Sequence, residues 1–242
     1  MNLTARFALC LGILATFATG CVAASADGAD EQLGETSEAL APPPASCLDI
    51  HVANPGAVDG PYTLFLGHDP NKPWQAFCRD MATSSPSEYL SLPHVGPNVN
   101  FSQYTAGGAS SGTNARTQFS KIRIDPATLL VDISNQTFSI SSGTTYNGPN
   151  AVTSMPFGVA MSCDDKASGV ANIDLGGTPF AVATGAFLQG GTDNQGAATY
   201  SNNNRTVNIT GGGYCGWTCP SPATYNPFNN AGTFQLALVY AP

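Results

Sequence analysis

Charge is scarce in this chain of 242 residues: 10% of them are charged, and eight Lys and Arg stand against sixteen Asp and Glu, for a net charge of −8. A chain so short of cations has no basic surface with which to hold nucleic acid or anionic lipid headgroups. Histidine is rarer still, at His51, His68 and His94, and none of the three opens an H-E-x-x-H motif. That motif sets two imidazoles one helical turn apart on one metal and adds a glutamate to activate water, so a zinc-protease helix of this kind is excluded. Beyond Phe17 no apolar run is long enough to span a bilayer. Amphipathic helical periodicity and internal repeats are missing as well.

What is there is turn chemistry between short β-favouring runs, with 26 Gly and 18 Pro. The densest β signal covers residues 116–139, where Phe119, Ile122 and Ile124, then Leu129, Leu130, Val131 and Ile133, flank a turn at Asp125-Pro126. This reads as two strands with a turn between them, and Asn135-Gln136 supplies a second turn before Phe138 and Ile140. Further strands are expected at 62–66, 88–92, 157–161, 170–175, 180–182, 185–188, 197–201, 205–210 and 234–240. Asn202-Asn203-Asn204 reads as a hairpin turn, since Asn tolerates positive φ. Phe234, Leu236, Leu238 and Tyr240 share one face of the last strand. The pattern predicts a mainly β fold, a sandwich or a compact mixed β domain, with long Gly, Asn and Ser loops and little helix.

Arg6 followed by the apolar run from Phe7 to Phe17 predicts a signal peptide over residues 1–20. Ala18-Thr19-Gly20-Cys21 has the form of a bacterial lipobox, which makes Cys21 the lipidation site and a lipid the membrane anchor. Ala24-Ser25-Ala26 offers an ordinary signal-peptidase site instead, which gives a freely secreted protein. Residues 21–46 carry five carboxylates and no base and end in Pro42-Pro43-Pro44, the composition of an acidic, disordered tether. Residues 47–242 are long enough for one β domain with a substantial core, and hold seven basic against eleven acidic residues.

Four separated motifs carry a resemblance. They are CLDIHVANPGAVDGPYTLFLG with FCRDM, FSKIRIDPATL, FGVAMSC with IDLGGTPF, and GGGYCGWTCP, in that order from Cys47 to Pro220. Together they resemble the GON domain, the C-terminal module of some ADAMTS metalloproteases. The first of them also resembles the opening of fibrinogen-related domains, which implies a bond between Cys47 and Cys78. The GON resemblance implies an extracellular module, and its usual company implies zinc-dependent metalloendopeptidase activity, although the catalytic domain of those proteases has no counterpart here.

Outside Cys10 and Cys21, five cysteines remain for an oxidising compartment, an odd number. Cys163 with Cys215 or with Cys219 is expected, or a tight Cys215 to Cys219 bond, with one thiol left free or bonded to another molecule. Where the GON pattern has a further cysteine before its IDL strand, this chain has Ser168-Gly169-Val170-Ala171.

Gly108-Ala109-Ser110-Ser111-Gly112 matches G-x-S-x-G but lacks the flanking strand and helix of a nucleophile elbow, and reads as a loop. Asp164-Asp165 reads as a solvated loop, without the alternating oxygen ligands of a calcium loop. A metal site on His51, His68 and His94 with Asp49, Asp69 or Asp80 has no ligand spacing to support it, so no cofactor is expected from the residues themselves. Trp74, Tyr104, Tyr146, Trp217, Tyr225 and Phe228 lie in Gly-, Pro- or Asn-rich stretches and are expected as exposed loop aromatics that contact a partner. The expectation is therefore a binding or accessory module of the cell envelope or medium that recognises a protein or a glycan. The metalloendopeptidase and a structural envelope component linked through the leftover cysteine are the alternatives.

Overall fold

The computed structural model describes residues 41–220 and 235–242. The signal peptide, Cys21 and most of the tether lie outside the described residues, as do Tyr225 and Phe228. The chain joins the fold earlier than the expected boundary after Ser46. The Phe65 amide donates to the Pro44 carbonyl at 2.8 Å, and His68 Nδ1 meets the Pro43 carbonyl oxygen at 2.8 Å.

A short helix, α1 (Cys47–Ala53), opens the domain. Ser46 caps it by accepting from the Asp49 amide at 3.1 Å while Asp49 Oδ2 accepts from the Ser46 amide at 3.0 Å, so orphan donors of the first turn are met reciprocally. The strands follow: β1 (Gly60–Phe65), β2 (Pro73–Arg79), β3 (Ser87–Ser91), β4 (Phe101–Thr105), β5 (Ala115–Phe119), β6 (Lys121–Asp125), β7 (Leu130–Asp132) and β8 (Ser139–Ser142). After them come β9 (Thr145–Asn147), β10 (Asn150–Val152), β11 (Ala160–Asp174), β12 (Phe180–Val182), β13 (Phe187–Gly190), β14 (Gln195–Ser201), β15 (Thr206–Pro220) and β16 (Gln235–Tyr240). The fold is mainly β, as the turn-rich sequence predicts.

Two seven-stranded antiparallel sheets share one hydrophobic core. The first runs β1-β2-β3-β6-β7-β16-β12; the second runs β13-β15-β11-β4-β5-β8, with β14 also on β15; β9 and β10 form a small hairpin. Alternation sets the inward face of the first sheet. Ala76, Leu90 and Ile122 sit opposite one another in one row, and Ile124, Val131 and Leu236 in another. All six are buried, each of the large ones contributing about 1.5–3 kcal/mol. Trp74 meets Phe180 edge-on at 5.4 Å, and Phe119 meets Phe157 at 5.1 Å.

Residues 116–139 depart from the two strands expected there. They form parts of β5 to β8, and Ser120 moves the chain from the second sheet to the first. Phe119 and Ile122 both face the core although they lie three apart, which breaks the period of two at this corner. The two expected turns form: Asp125 accepts from the Ala127 amide and from Thr128 Oγ1, and Asn135 Oδ1 accepts from the Thr137 amide. Residues 160–161 and 170–174 of two segments expected as separate strands belong to the single long β11, with register shifts between Ser162 and Gly169. Asn202, Asn203 and Asn204 turn the β14–β15 hairpin with φ of 51°, 51° and 63°.

Candidate functional site

The Ser120 corner also shapes a concavity on the surface. The Ser120 amide donates to the Phe138 carbonyl at 3.0 Å and the Leu92 amide donates to the Ser120 carbonyl at 3.0 Å. These bonds fix Phe138 beside the corner on one side and the 93–100 loop on the other. Asn100 then holds that loop. It is buried, takes φ of 52°, and its amide group donates to the carbonyls of His94 and Asp174 at 2.8 and 2.9 Å. Arg116 braces the same loop from β5, donating to the Pro97 carbonyl and to Asn98 Oδ1, with its guanidinium 3.5 Å from the centre of the Phe101 ring.

Between the loop and β8 lies a groove of about 420 Å³, floored by Gln118 and Ser120 and walled by Val95, Gly96, Phe138 and Ile140. Val95 is 59% and Ile140 78% exposed. Among the described residues, the lining contains no carboxylate. Phe138 connects the groove to a ring cluster on the outward face of the first sheet. It meets Tyr89 at 4.8 Å and Phe77 at 5.4 Å, both edge-on. Lys121 Nζ lies 4.8 Å from the centre of the Phe138 ring and 4.9 Å from that of Phe77, and the Arg79 guanidinium 5.8 Å from Phe138. Cations over ring faces hold such a cluster while keeping their charge in solvent. The arrangement offers contact area and positive charge, which serve recognition.

Among the described residues, the aromatics singled out in the sequence do not share the exposure expected of them. Trp74 and Tyr104, expected on exposed loops, are buried on β2 and β4 at 2% and 0% exposure. Pro73 starts a strand here, and small Ala76 and Cys78 share the inward face of Trp74, so the ring fills the core. The Trp74 indole nitrogen is buried without a hydrogen-bond partner among the described residues, beside a second concavity of about 580 Å³ edged by Pro73, Pro93, Pro179 and Pro242. The Tyr104 hydroxyl lies 2.9 Å from Ser110 Oγ and 2.8 Å from Cys163 Sγ, and donates to the Tyr146 carbonyl at 3.1 Å. Ser110, the centre of the G-x-S-x-G match, is thus bonded to a phenol within a loop. Trp217 is half-buried on β15, covering Gly190 and Gly191. Only Tyr146, at 40% exposure on β9, keeps the expected exposure among the described residues.

The histidines stand in three different settings. His51 lies on α1, His68 is bonded to Pro43, and His94 Nδ1 lies 3.0 Å from Asp174 Oδ2. Among the described residues, no three His, Cys, Asp or Glu side chains gather as a metal site would require, and His51, His68 and His94 are not brought together.

Cys47 bonds Cys78 and Cys163 bonds Cys215. Cys219 is the leftover thiol, 1% exposed, and burial pushes its pKa up to about 12. A cross-link to another chain needs an accessible thiolate, so the expected linkage through the leftover cysteine does not fit this position. The groove residues Val95, Phe138 and Ile140 escaped the sequence reading as a site. The available signal was Ile140 itself, a single large apolar residue among Ser139, Ser141 and Ser142.

The sequence model of one family, described as the GON domain, matches residues 44–112 and 106–226. No curated protein and no solved structure matches the chain.

Proposed function

The chain belongs to the GON domain family, and from that premise we propose that it works outside the cytoplasm as a noncovalent binding or accessory module, anchored through lipid on Cys21, whose groove at the Ser120 corner recognises a protein partner. The observation that carries this reading is the pairing of Val95 and Ile140, two large apolar side chains left in solvent on opposite walls of one groove. Apolar surface kept exposed next to a fixed ring cluster suits a contact made with another molecule. Two disulfides agree with an oxidising compartment. The metalloendopeptidase reading rests on family company alone and gains nothing from the positions of His51, His68 and His94.

The test immobilises the purified chain and measures retention of protein from an envelope and medium extract. A parallel sample is incubated with denatured protein with and without a chelator. Saturable retention that Ile140→Asp removes, with no chelator-sensitive cleavage, is the expected result. Chelator-sensitive cleavage, retention of glycan in place of protein, or retention indifferent to Ile140→Asp overturns it.

A further inference from the structure

Resting on that reading, we infer that the partner presents an extended acidic segment, whose apolar residue enters the groove and whose carboxylates meet Lys121 and Arg123 on the outward face of the first sheet. Three of the seven basic residues of 47–242, namely Arg79, Lys121 and Arg123, gather on that face around Phe77, Tyr89 and Phe138. Lys121 Nζ and the Arg79 guanidinium stand 4.8 and 5.8 Å from the centre of the same Phe138 ring, so they are no farther apart than those two distances together. Arg123 follows two residues along β6, about 7 Å from Lys121 at strand spacing. It shares the face of Lys121 because Ile122 and Ile124 turn to the core. It stands opposite Tyr89 of β3 and is exposed.

Charge and shape together select the partner. In a chain with twice as many acids as bases, Lys121 and Arg123 form no ion pair among the described residues, and Arg79 reaches Asp80 alone, at 3.7 Å. The carboxylates nearest them along the strands are engaged elsewhere. Asp132, opposite Arg123 on β7, accepts from the Ser134 amide and hydroxyl at 3.1 and 2.6 Å. Glu88 of β3 accepts from the Cys47 amide at 2.7 Å, and Asp125 closes its own turn. The apolar part of the site comes from the groove, and Phe138 belongs to both, since it walls the groove and holds Lys121 against its ring. Groove floor, Lys121 and Arg123 follow one another along residues 118–123. An extended segment advances about 3.4 Å per residue, so one apolar side chain in the groove sets acidic ones two and four residues further over the two cations. A long polyanion such as a sulfated glycan needs a longer basic track than this.

Two fluorescent hexapeptides test this on the purified full chain: Leu-Thr-Glu-Thr-Glu-Gly and Leu-Thr-Lys-Thr-Lys-Gly. The acidic peptide is expected to bind saturably, about tenfold tighter than its lysine counterpart at low salt, and to weaken as salt is added. Lys121→Glu and Arg123→Glu, each alone, should weaken it by about fivefold or more while improving the lysine peptide, a reversal that mere misfolding does not produce. Lys166→Glu, the same charge change on β11 of the other sheet, should leave both peptides unaffected. Equal binding of the two peptides, or binding indifferent to both charge reversals, overturns the inference. So does a loss with Lys166→Glu as large as with Lys121→Glu, which means that net charge and not this face attracts the acid. A sulfated oligosaccharide that binds this face more tightly than the acidic peptide overturns it as well. If neither peptide binds while Ile140→Asp still removes partner retention, the acidic-segment inference fails and the binding reading stands. If Ile140→Asp changes neither, both fail.

Discussion

The β11–β15 pair and β8 belong to the same sheet and use small residues, glycine in the one and serine in the other, to opposite ends. In β15 the run Gly211-Gly212-Gly213 lets backbone press on backbone. A Cβ on Gly211 would fall on the Ala160 carbonyl and lie 2.7 Å from the Thr218 amide, and one on Gly169 of β11 would meet the Met161 backbone. Both strands have neighbours on each side, and the Cys163–Cys215 bond ties their irregular stretches together. In β8, among the described residues, one edge is unpaired and Ile140 stands in solvent. Small residues therefore mark close packing where strands cover them and an open edge where nothing does. What separates the two is the neighbour, a long-range property of the fold.

The sharpest way to test the contrast is chemical. With its pKa raised to about 12 by burial, Cys219 at pH 8 is about one part in ten thousand thiolate, and the sulfur is covered as well. An Ile140→Cys variant places an ordinary thiol at a position that is 78% exposed. The introduced thiol is expected to react with a disulfide reagent at least about a thousandfold faster than Cys219, which should respond only on unfolding. Comparable rates in the native protein would mean that the β15 end is no better covered than β8.

Next comes the disulfide. Removing the cross-link over a sequence separation of 52 residues by Cys163→Ala with Cys215→Ala should cost about 4 kcal/mol in the chain-entropy account, read by denaturant unfolding. Gly211→Ala should follow at about 3 kcal/mol or more, since the atoms met are backbone and cannot turn aside as a side chain would. A Gly211→Ala protein as stable as the parent would show that the β11–β15 contact is looser than its geometry.

Much of the frame was legible because local chemistry decides it. Asp125-Pro126 forces a turn, three asparagines accept positive φ, and alternating Leu236 and Leu238 face the core whatever they pair with. The corner at Ser120 left a trace that a strand reading smooths over, the odd spacing of Phe119 and Ile122. Trp74 and Tyr104 were misplaced because polar or small neighbours (Pro73 and Gln75, Ser102 and Gln103) made their strands look like loops; burial came from partners distant in sequence, Phe180 for one and Cys163 for the other. The groove was invisible for the same reason. Its walls come from residues 95–96 and 138–140 and its floor from 118–120, segments that only the sheet pairing brings side by side.

The smallest expected effect bears most on how the two ends differ. Ile140→Asp replaces a side chain that is 78% exposed on a strand bonded along one edge only. Little apolar area returns to water, no buried partner is orphaned, and the new carboxylate has no acidic neighbour in the groove lining. The stability change should therefore stay within about 0.5 kcal/mol, as for surface positions in general. If denaturant unfolding shows this and the same variant loses its partner, Ile140 is spent on recognition and the sheet does not need it. A loss of several kcal/mol would instead mean that Ile140 packs against part of the chain and that the β8 edge is covered, which would remove the difference between β8 and β15 on which the proposed binding site rests.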